Sequence, residues 1–180
     1  MKKLFLASSL VAALSLSAFA EPFTLDMANS KVDFSVKHMK LTKVDGSFKT
    51  FSANIDYDSK AKMLKALDGA VEIASVDTAN PKRDAHLNAP DMFDGAKYPT
   101  MQFKMTKYEA GKIYGDLTIK EVTKPIMLDS KEMLNGKTLD IAASTQIKRS
   151  DFGLEWGNIF KDNAVSDEVT IMLNLKANAQ

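Results

Sequence analysis

Apolar and polar residues alternate with a period of two along most of this chain. In the clearest stretch, Val32, Phe34, Val36 and His38 are separated by charged residues and a serine. Such alternation is typical of a strand with one buried side and one side in water. Because turn residues separate these stretches at hairpin spacing, we predict about eight antiparallel strands in a barrel or a sandwich, not a βαβ fold. The other stretches are 51–57, 101–105, 113–119, 139–147 and 169–175, with weaker ones at 65–75 and 124–131.

A closed barrel is the better of these two architectures. Strands of roughly ten residues are about 33 Å long and suit a closed sheet without exposed edges. An eight-stranded barrel is wide enough to hold one small ligand. Gly115 and Ala53 are small inward-facing residues, which we expect to leave room for a channel. A solid core is the alternative. Five apolar residues are candidates for the wall of the channel: Phe34, Val36, Phe51, Met101 and Phe103.

The first twenty residues have the pattern of a cleaved export signal. A cationic start at Lys2 and Lys3 precedes an apolar run, and small residues stand before position 21. The run is shorter than the ~20 residues that a membrane-spanning helix needs. We therefore predict a signal peptide over residues 1–20 and one domain over residues 21–180, without a transmembrane segment.

Charge and cysteine content exclude several classes of protein. Without Lys2 and Lys3 the chain has 22 basic and 23 acidic residues, and these are interspersed, so no basic stripe offers a nucleic-acid interface. The chain has no cysteine, so packing alone must stabilise it. Spacings typical of a metal site or of a Gly-x-Ser-x-Gly nucleophile are absent from the sequence.

Residues 80–99 interrupt the strand pattern with a polar insert. Asn80 is a suitable N-cap and Pro81 a suitable first residue for a short helix that Pro90 ends, and a second turn is expected at 91–93. We interpret the insert as the polar entrance of the barrel's channel. Candidates for binding a ligand headgroup are His38, Arg83, Asp84 and His86, with Arg149 and Asp151 as second choices.

Each of these candidates has a structural alternative. The chain has only two arginines, and an aspartate follows each within two residues, so both guanidinium groups have a nearby partner within the protein. His38 is expected to face inward, where a histidine either hydrogen-bonds within the core or contacts the ligand. Residues 152–163 lack alternation, and we expect them to form a lid in which Trp156 and Phe160 contact the ligand.

Several sequence blocks, in this order, resemble those of YceI-like proteins. The resemblance implies an extended lipocalin-like barrel that carries a long amphiphile, often a polyisoprenoid, in an apolar tunnel. It also implies a periplasmic lipid carrier, with secretion as the alternative, and a homodimer. The blocks are Phe34-Ser-Val-Lys-His38, Val44-Asp-Gly-Ser-Phe48, Arg83-Asp-Ala-His-Leu87, Asp91-Met-Phe-Asp94, Tyr98-Pro99, Gly115-Asp-Leu-Thr-Ile119, Val122-Thr-Lys-Pro125, Arg149-Ser-Asp-Phe-Gly153 and Val165-Ser-Asp-Glu-Val169.

Other functions stay open beside the carrier hypothesis. A hydrolase for a lipid-like substrate would use His86 and Asp84 with Ser150 or Ser166, although sequence spacing alone does not bring these residues together. A stress-related protein that acts through its surface would have a filled barrel. The favoured prediction is a binding protein without catalytic activity, metal or cofactor. Its ligand is expected to be a polyisoprenoid, an isoprenoid quinone, or a fatty acid or amide, and contact with a membrane component would be transient.

Overall fold

A computed structural model describes residues 20–38, 42–155 and 165–180. Within these ranges the chain forms eleven strands, all in one sheet, and one α-helix. The strands are β1 (Glu21–Leu25), β2 (Lys31–His38), β3 (Thr42–Phe48), β4 (Phe51–Asp58), β5 (Met63–Glu72), β6 (Val76–Asp77), β7 (Thr100–Glu109), β8 (Lys112–Ile119), β9 (Val122–Asn135), β10 (Thr138–Lys148) and β11 (Val165–Ala179), and the helix is α1 (Pro81–Asn88).

The sheet is antiparallel and closes on itself. Its strands follow the order β1-β4-β5-β7-β8-β9-β10-β11, and β1 pairs with both β4 and β11. The remaining strands extend this barrel at one end, because β2 pairs with the first part of β11, β3 pairs with β2, and β6 pairs with β3. Along the chain, β1 and β2, β3 and β4, and β5 and β6 are each interrupted continuations of one long strand, so eight long strands form the wall.

The alternation of the sequence determines which side chains face inward. Phe51, Val71 and Met101 lie in register across β4, β5 and β7, and Ala53, Gly69 and Phe103 form the next inward row. A core of buried side chains fills one end of the barrel. Its most buried members are Ile55, Leu64, Ile113, Leu139, Ile141 and Ala177.

Helix α1 and the turns after it cover part of the opposite end. The Asn80 Oδ1 atom accepts hydrogen bonds from the backbone N–H groups of Lys82 and Arg83, which caps the helix as its sequence predicts. Leu87 and Met92 are buried against Phe48 and neighbouring side chains of the strands. The polar insert therefore packs onto the barrel through an apolar side.

The eight-stranded antiparallel barrel predicted from the alternation is confirmed. The sequence pattern missed β1, β3 and β6. Strands β1 and β6 have only five and two residues, and β3 begins with exposed polar residues. The second helical turn expected at 91–93 is a hydrogen-bonded turn, in which the N–H of Met92 donates to the carbonyl of Ala89. The lid expected over 152–163 falls mostly outside the described residues.

Candidate ligand-binding cavity

An apolar cavity of about 200 Å³ lies between the filled end of the barrel and the α1 insert. Leu67, Leu128 and Leu175, which belong to the core of the filled end, also line the cavity and form its floor. Aliphatic, methionine and phenylalanine side chains dominate the wall. Among the described lining residues, the polar or charged ones are Asp33, Ser52, Gln102 and Arg149.

The structure places the five apolar candidates from the sequence in the wall of this cavity. They are Phe34, Val36, Phe51, Met101 and Phe103. Of the remaining apolar candidates, Trp156 and Phe160 lie outside the described residues. The backbone of His38 pairs with Thr42 on β3 and with Val165 on β11, at the end of the barrel that carries the extension.

Small residues control how much of the interior is empty, but not all in the way that the sequence predicts. A Cβ atom on Gly115 would stand 2.3 Å from Cζ of Phe103, and one on Gly46 would stand 2.3 Å from Cζ of Phe34. The space beside each of these two glycines is therefore filled by a phenylalanine ring of the wall, and neither glycine leaves an empty channel. Ala53 and Gly69 do line the cavity, and a Cβ atom on Gly69 would meet only the carbonyl oxygen of Ser52, at 3.4 Å.

Arg83 and Asp84 meet on one buried residue, Thr78, which is 5% exposed. The Thr78 hydroxyl donates to Asp84 Oδ1 and accepts from Nε of Arg83 at 2.8 Å, while Nη2 of Arg83 donates to the Thr78 carbonyl at 2.7 Å. Asp84 also accepts from the Thr78 N–H at 3.0 Å. These bonds tie α1 to the end of β6, and neither charged residue is part of the cavity wall.

His86 lies on the outer side of the same helix. Its Nε2 atom is 3.0 Å from Oδ2 of Asp91, and its side chain is 39% exposed. The hydrogen bond with His86 holds the pKa of Asp91 below its usual range. His86 is not among the residues of the cavity wall either. The contacts of Arg83 and Asp84 thus favour a structural role, in which both residues attach the insert to the barrel through Thr78, whereas His86 pairs with Asp91 within the insert.

Arg149 is the charged candidate that does line the cavity. Nη1 donates to the Leu154 carbonyl at 2.6 Å, Nε donates to the Ser166 carbonyl at 3.2 Å, and Nη2 is 3.5 Å from the Val165 carbonyl. The guanidinium group is therefore bound to the backbone on both sides of residues 156–164. Asp151, the other second choice, is exposed and lines an outer groove described below.

Several apolar residues of the wall are not predicted by the sequence pattern. Leu87, Met92 and Phe93 come from the insert, which the sequence presents as a polar entrance. A signal was available, because Leu87, Met92 and Phe93 are the large apolar residues among polar neighbours in a segment that must cover a barrel end. Leu154 also lines the cavity, next to a 3-10 helix formed by Arg149–Phe152.

A polar cluster lies inside the filled end, away from the cavity. Glu132 occupies an inward position of β9 opposite Ile141, where it accepts hydrogen bonds from the hydroxyls of Tyr108 and Ser130 at 2.7 and 2.6 Å. Burial, together with this carboxylate, raises the pKa of Tyr108 to about 12. Burial and the charges of Glu132 and Asp58 also raise the pKa of Tyr57.

The residues of the hypothetical hydrolytic triad have other partners. Ser150 donates through its hydroxyl to Oδ2 of Asp167 at 2.7 Å, and Ser166 accepts from the backbone N–H of Glu168. Asp84 is engaged by Thr78. Within residues 20–38, 42–155 and 165–180, no group of three or more His, Asp or Glu side chains is arranged to hold a metal ion. The helices of those same ranges are all too short to cross a membrane.

Comparisons with known proteins agree with the barrel fold. The chain is 32% identical over 151 residues to a UPF0312 protein of Photorhabdus laumondii subsp. laumondii, an alignment that covers 77% of this chain and 79% of the relative. The fold matches the crystal structure of BcnA from Burkholderia cenocepacia with a TM-score of 0.78 and 28% identity, over 86% of this chain and 99% of BcnA.

A polyisoprenoid binding domain from Saccharophagus degradans has the same fold at lower sequence identity. Its TM-score is 0.71 at 17% identity, over 89% of this chain and 99% of that domain. The model of the YceI-like domain family matches residues 23–177, which is nearly the whole barrel. This chain belongs to the YceI-like domain family.

Proposed function

We propose that this protein binds a long-chain amphiphile, either an isoprenoid or an acyl lipid, and carries it with the apolar chain inside the barrel. The observation that supports this proposal is the cavity itself. Its wall combines Phe34, Phe51, Met101 and Phe103 with aliphatic side chains and offers almost no polar group to a ligand. A wall of this composition suits an apolar chain and provides little that would recognise a sugar, a nucleotide or a peptide.

The energetics of burial favour the same class of ligand. Each methylene group that leaves water for an apolar site contributes about 0.8 kcal/mol, so a long chain gains affinity without any directional contact. Methionine side chains such as Met92 and Met101 adapt their shape, which suits a tail whose outline varies. Selectivity between lipids must therefore come from the headgroup end of the ligand.

The fold comparison supports the proposal without identifying the lipid. The domain from Saccharophagus degradans that has this fold is a polyisoprenoid binding domain. Its sequence identity to the present chain is 17%, so what the two share is the architecture of the barrel. A polyisoprenoid, an isoprenoid quinone and a fatty acid or amide are all compatible with the apolar wall.

The place of action and the state of assembly are part of the proposal. The signal-like sequence of residues 1–20 supports export, and we propose that the carrier works in the periplasm, where lipids must cross an aqueous space between two membranes. A homodimer is expected from the family resemblance and is testable by analytical ultracentrifugation of the protein after signal removal.

Mass spectrometry of the protein from its own exporting cells tests the proposed function directly. Native spectra should show a stoichiometric adduct, and organic extraction should release a molecule with a long apolar chain. The extracted mass would identify tail and headgroup together. An unliganded mass that stays unchanged after incubation with polyprenyl phosphates, quinones and fatty amides would contradict lipid binding and favour a protein that acts through its surface.

A further inference from the structure

The barrel wall is split between β9 and β10. The two strands are in register from Asn135 and Thr138 as far as Asp129 and Ser144, where their pairing ends. Beyond that point β9 continues to Val122 paired only with β8, and β10 continues to Lys148 paired only with β11. A closed barrel normally leaves no such unpaired edges, so the split is a specific feature of this wall.

The 3-10 helix Arg149–Phe152 lies against both edges of the split. It contacts β9, β10 and β11, and the side chain of Phe152 is 2% exposed. Phe152 packs in one cluster with Ile119, Ile126 and Ile147, so its ring stands where strand pairing is missing. We call this side chain the plug.

Only one layer of side chains separates the cavity from the outside at this place. On the outer surface the split forms a groove, and residues of β9, residues of β10 and the plug line it. Ile126 and Ile147 line both this groove and the inner cavity. The rim of the groove is polar, with Lys124 on one side and Gln146 on the other.

The helix that carries the plug is held by side-chain hydrogen bonds to β11 rather than by strand pairing. The backbone N–H and the hydroxyl of Ser150 donate to the Asp167 carboxylate at 2.9 and 2.7 Å. Gly153 follows the helix with a φ of +67°, a conformation that costs glycine little and that reverses the chain directly after Phe152. Residues 149–152 take no part in strand pairing, so a displacement of Phe152 breaks none of the ladder hydrogen bonds of the barrel.

The described residues cover both ends of the cavity at least in part. The core that includes Phe23 and Tyr57 fills one end, and Leu87, Met92 and Phe93 of the insert cover part of the other. A linear apolar chain must nevertheless enter and leave. At the split, Ile126 and Ile147 line both the cavity and the outer groove, so a passage between them crosses no paired strands.

We propose that the split between β9 and β10 is a side port of the cavity, through which the apolar chain of an acyl or isoprenoid lipid passes between Ile126 and Ile147 when Phe152 moves aside. This inference rests on the proposed lipid-binding function. The ligand that passes through the groove is a single linear apolar chain. Phe152 sets the rate of ligand exchange and not the affinity of the cavity for the ligand.

A cross-link across the split tests the port. The chain has no cysteine, so Met127→Cys with Gln146→Cys places two thiols on opposite sides of the groove for a short bismaleimide. Lys131→Cys with Ala142→Cys, treated with the same reagent, is the control, because these residues are in register where the same strands are paired. Exchange of cis-parinaric acid and of anthranilate-labelled geranylgeraniol with phosphatidylcholine vesicles is followed by stopped-flow fluorescence.

We expect the cross-linked split to slow exchange by about tenfold or more at nearly unchanged affinity, whereas the control cross-link leaves the exchange rate unchanged. Phe152→Ala should speed exchange, and Phe152→Leu should do so less. Equal exchange rates for both cross-linked proteins, with normal binding of the probes, would overturn the port alone. Failure of the unmodified protein to bind either probe would overturn the proposed function and the port with it.

Discussion

Ala53 faces the cavity from β4, beside Gly69 on β5 and in the same row as Phe103. Its small side chain leaves volume that a larger residue would fill. We expect Ala53→Phe to weaken the binding of cis-parinaric acid by about tenfold or more, because the ring takes the space of the apolar chain, at a cost in stability below the ~1–3 kcal/mol of an overpacked core. Fluorescence titration and urea unfolding measure both quantities.

Ala142→Phe is the control for this prediction. Ala142 is exposed on the outer face of β10, so the same substitution there adds the same apolar surface without entering the barrel. Unchanged affinity in Ala53→Phe, or an equal loss in both variants, would contradict the assignment of the cavity as the binding site.

Tyr108 provides a test of the polar cluster in the filled end. Burial and the Glu132 carboxylate raise its pKa from 10.0 to about 12, so the native state keeps the proton to a higher pH than the unfolded chain does. The resulting stabilisation is complete below the unfolded pKa of about 10 and is lost as the pH rises towards 12. Tyr108→Phe should therefore lose less of its unfolding free energy between pH 9 and pH 11.5 than the unmodified protein does.

Urea unfolding at a series of pH values measures this difference. Tyr114→Phe on the outer row of β8 is the matched variant, because it also removes one phenol from the chain. Parallel pH profiles for Tyr108→Phe and the unmodified protein would show that Tyr108 is not linked to folding in this range.

At the scale of elements, helix α1 depends on Thr78. The hydroxyl of Thr78 connects Asp84 and Arg83 at the point where the chain leaves β6. Thr78→Val keeps the shape and removes these bonds, and since they involve charged partners we expect a loss of about 1–3 kcal/mol in unfolding free energy. Lipid affinity should change by less than about twofold, because Arg83 and Asp84 do not line the cavity.

Thr106→Val, at an exposed position of β7, is the control for Thr78→Val. Urea unfolding and fluorescence titration are again sufficient. A large loss of lipid affinity at unchanged stability would contradict the structural role and return Arg83 to the headgroup site.

The elements differ in how well the sequence predicts them. Long strands such as β10 and β11 alternate over most of their length. Helix α1 has an N-cap, a proline at its first position and a breaker after its end, so local chemistry is sufficient for both kinds of element. The 3-10 helix Arg149–Phe152 has no such pattern. Its position depends on side-chain bonds to β11, a strand that lies beyond it in sequence, and no local periodicity encodes that contact.

For the whole molecule, closure of the barrel depends on the short strand β1. Phe23 of β1 is 4% exposed, and its ring packs edge-on against Tyr57 with 6.1 Å between the ring centres. Because β1 joins β4 to β11, we expect Phe23→Ala to lower the unfolding free energy by about 3–5 kcal/mol. Met133→Ala, at a side chain 52% exposed, should change it by less than about 0.5 kcal/mol. Urea unfolding that shows equal effects would contradict this role of β1.

By itself the sequence determines the long period-two strands, many of their inward-facing residues and the short helix, because each of these follows from the chemistry of residues close together in the chain. It also predicts Phe34, Phe51 and Phe103 as wall residues, which the structure places in the cavity wall. Such agreement is expected where local patterning and burial point the same way.

Only the tertiary structure decided which charged residues lie near the cavity and where its wall is thin. The sequence favours Arg83 over Arg149 as a headgroup residue, yet Arg83 is bound to Thr78 outside the cavity and Arg149 lines it. The split between β9 and β10 is equally absent from local patterns, because it depends on where two strands cease to pair. Both outcomes depend on contacts between residues distant in sequence, which the closure of the barrel brings together.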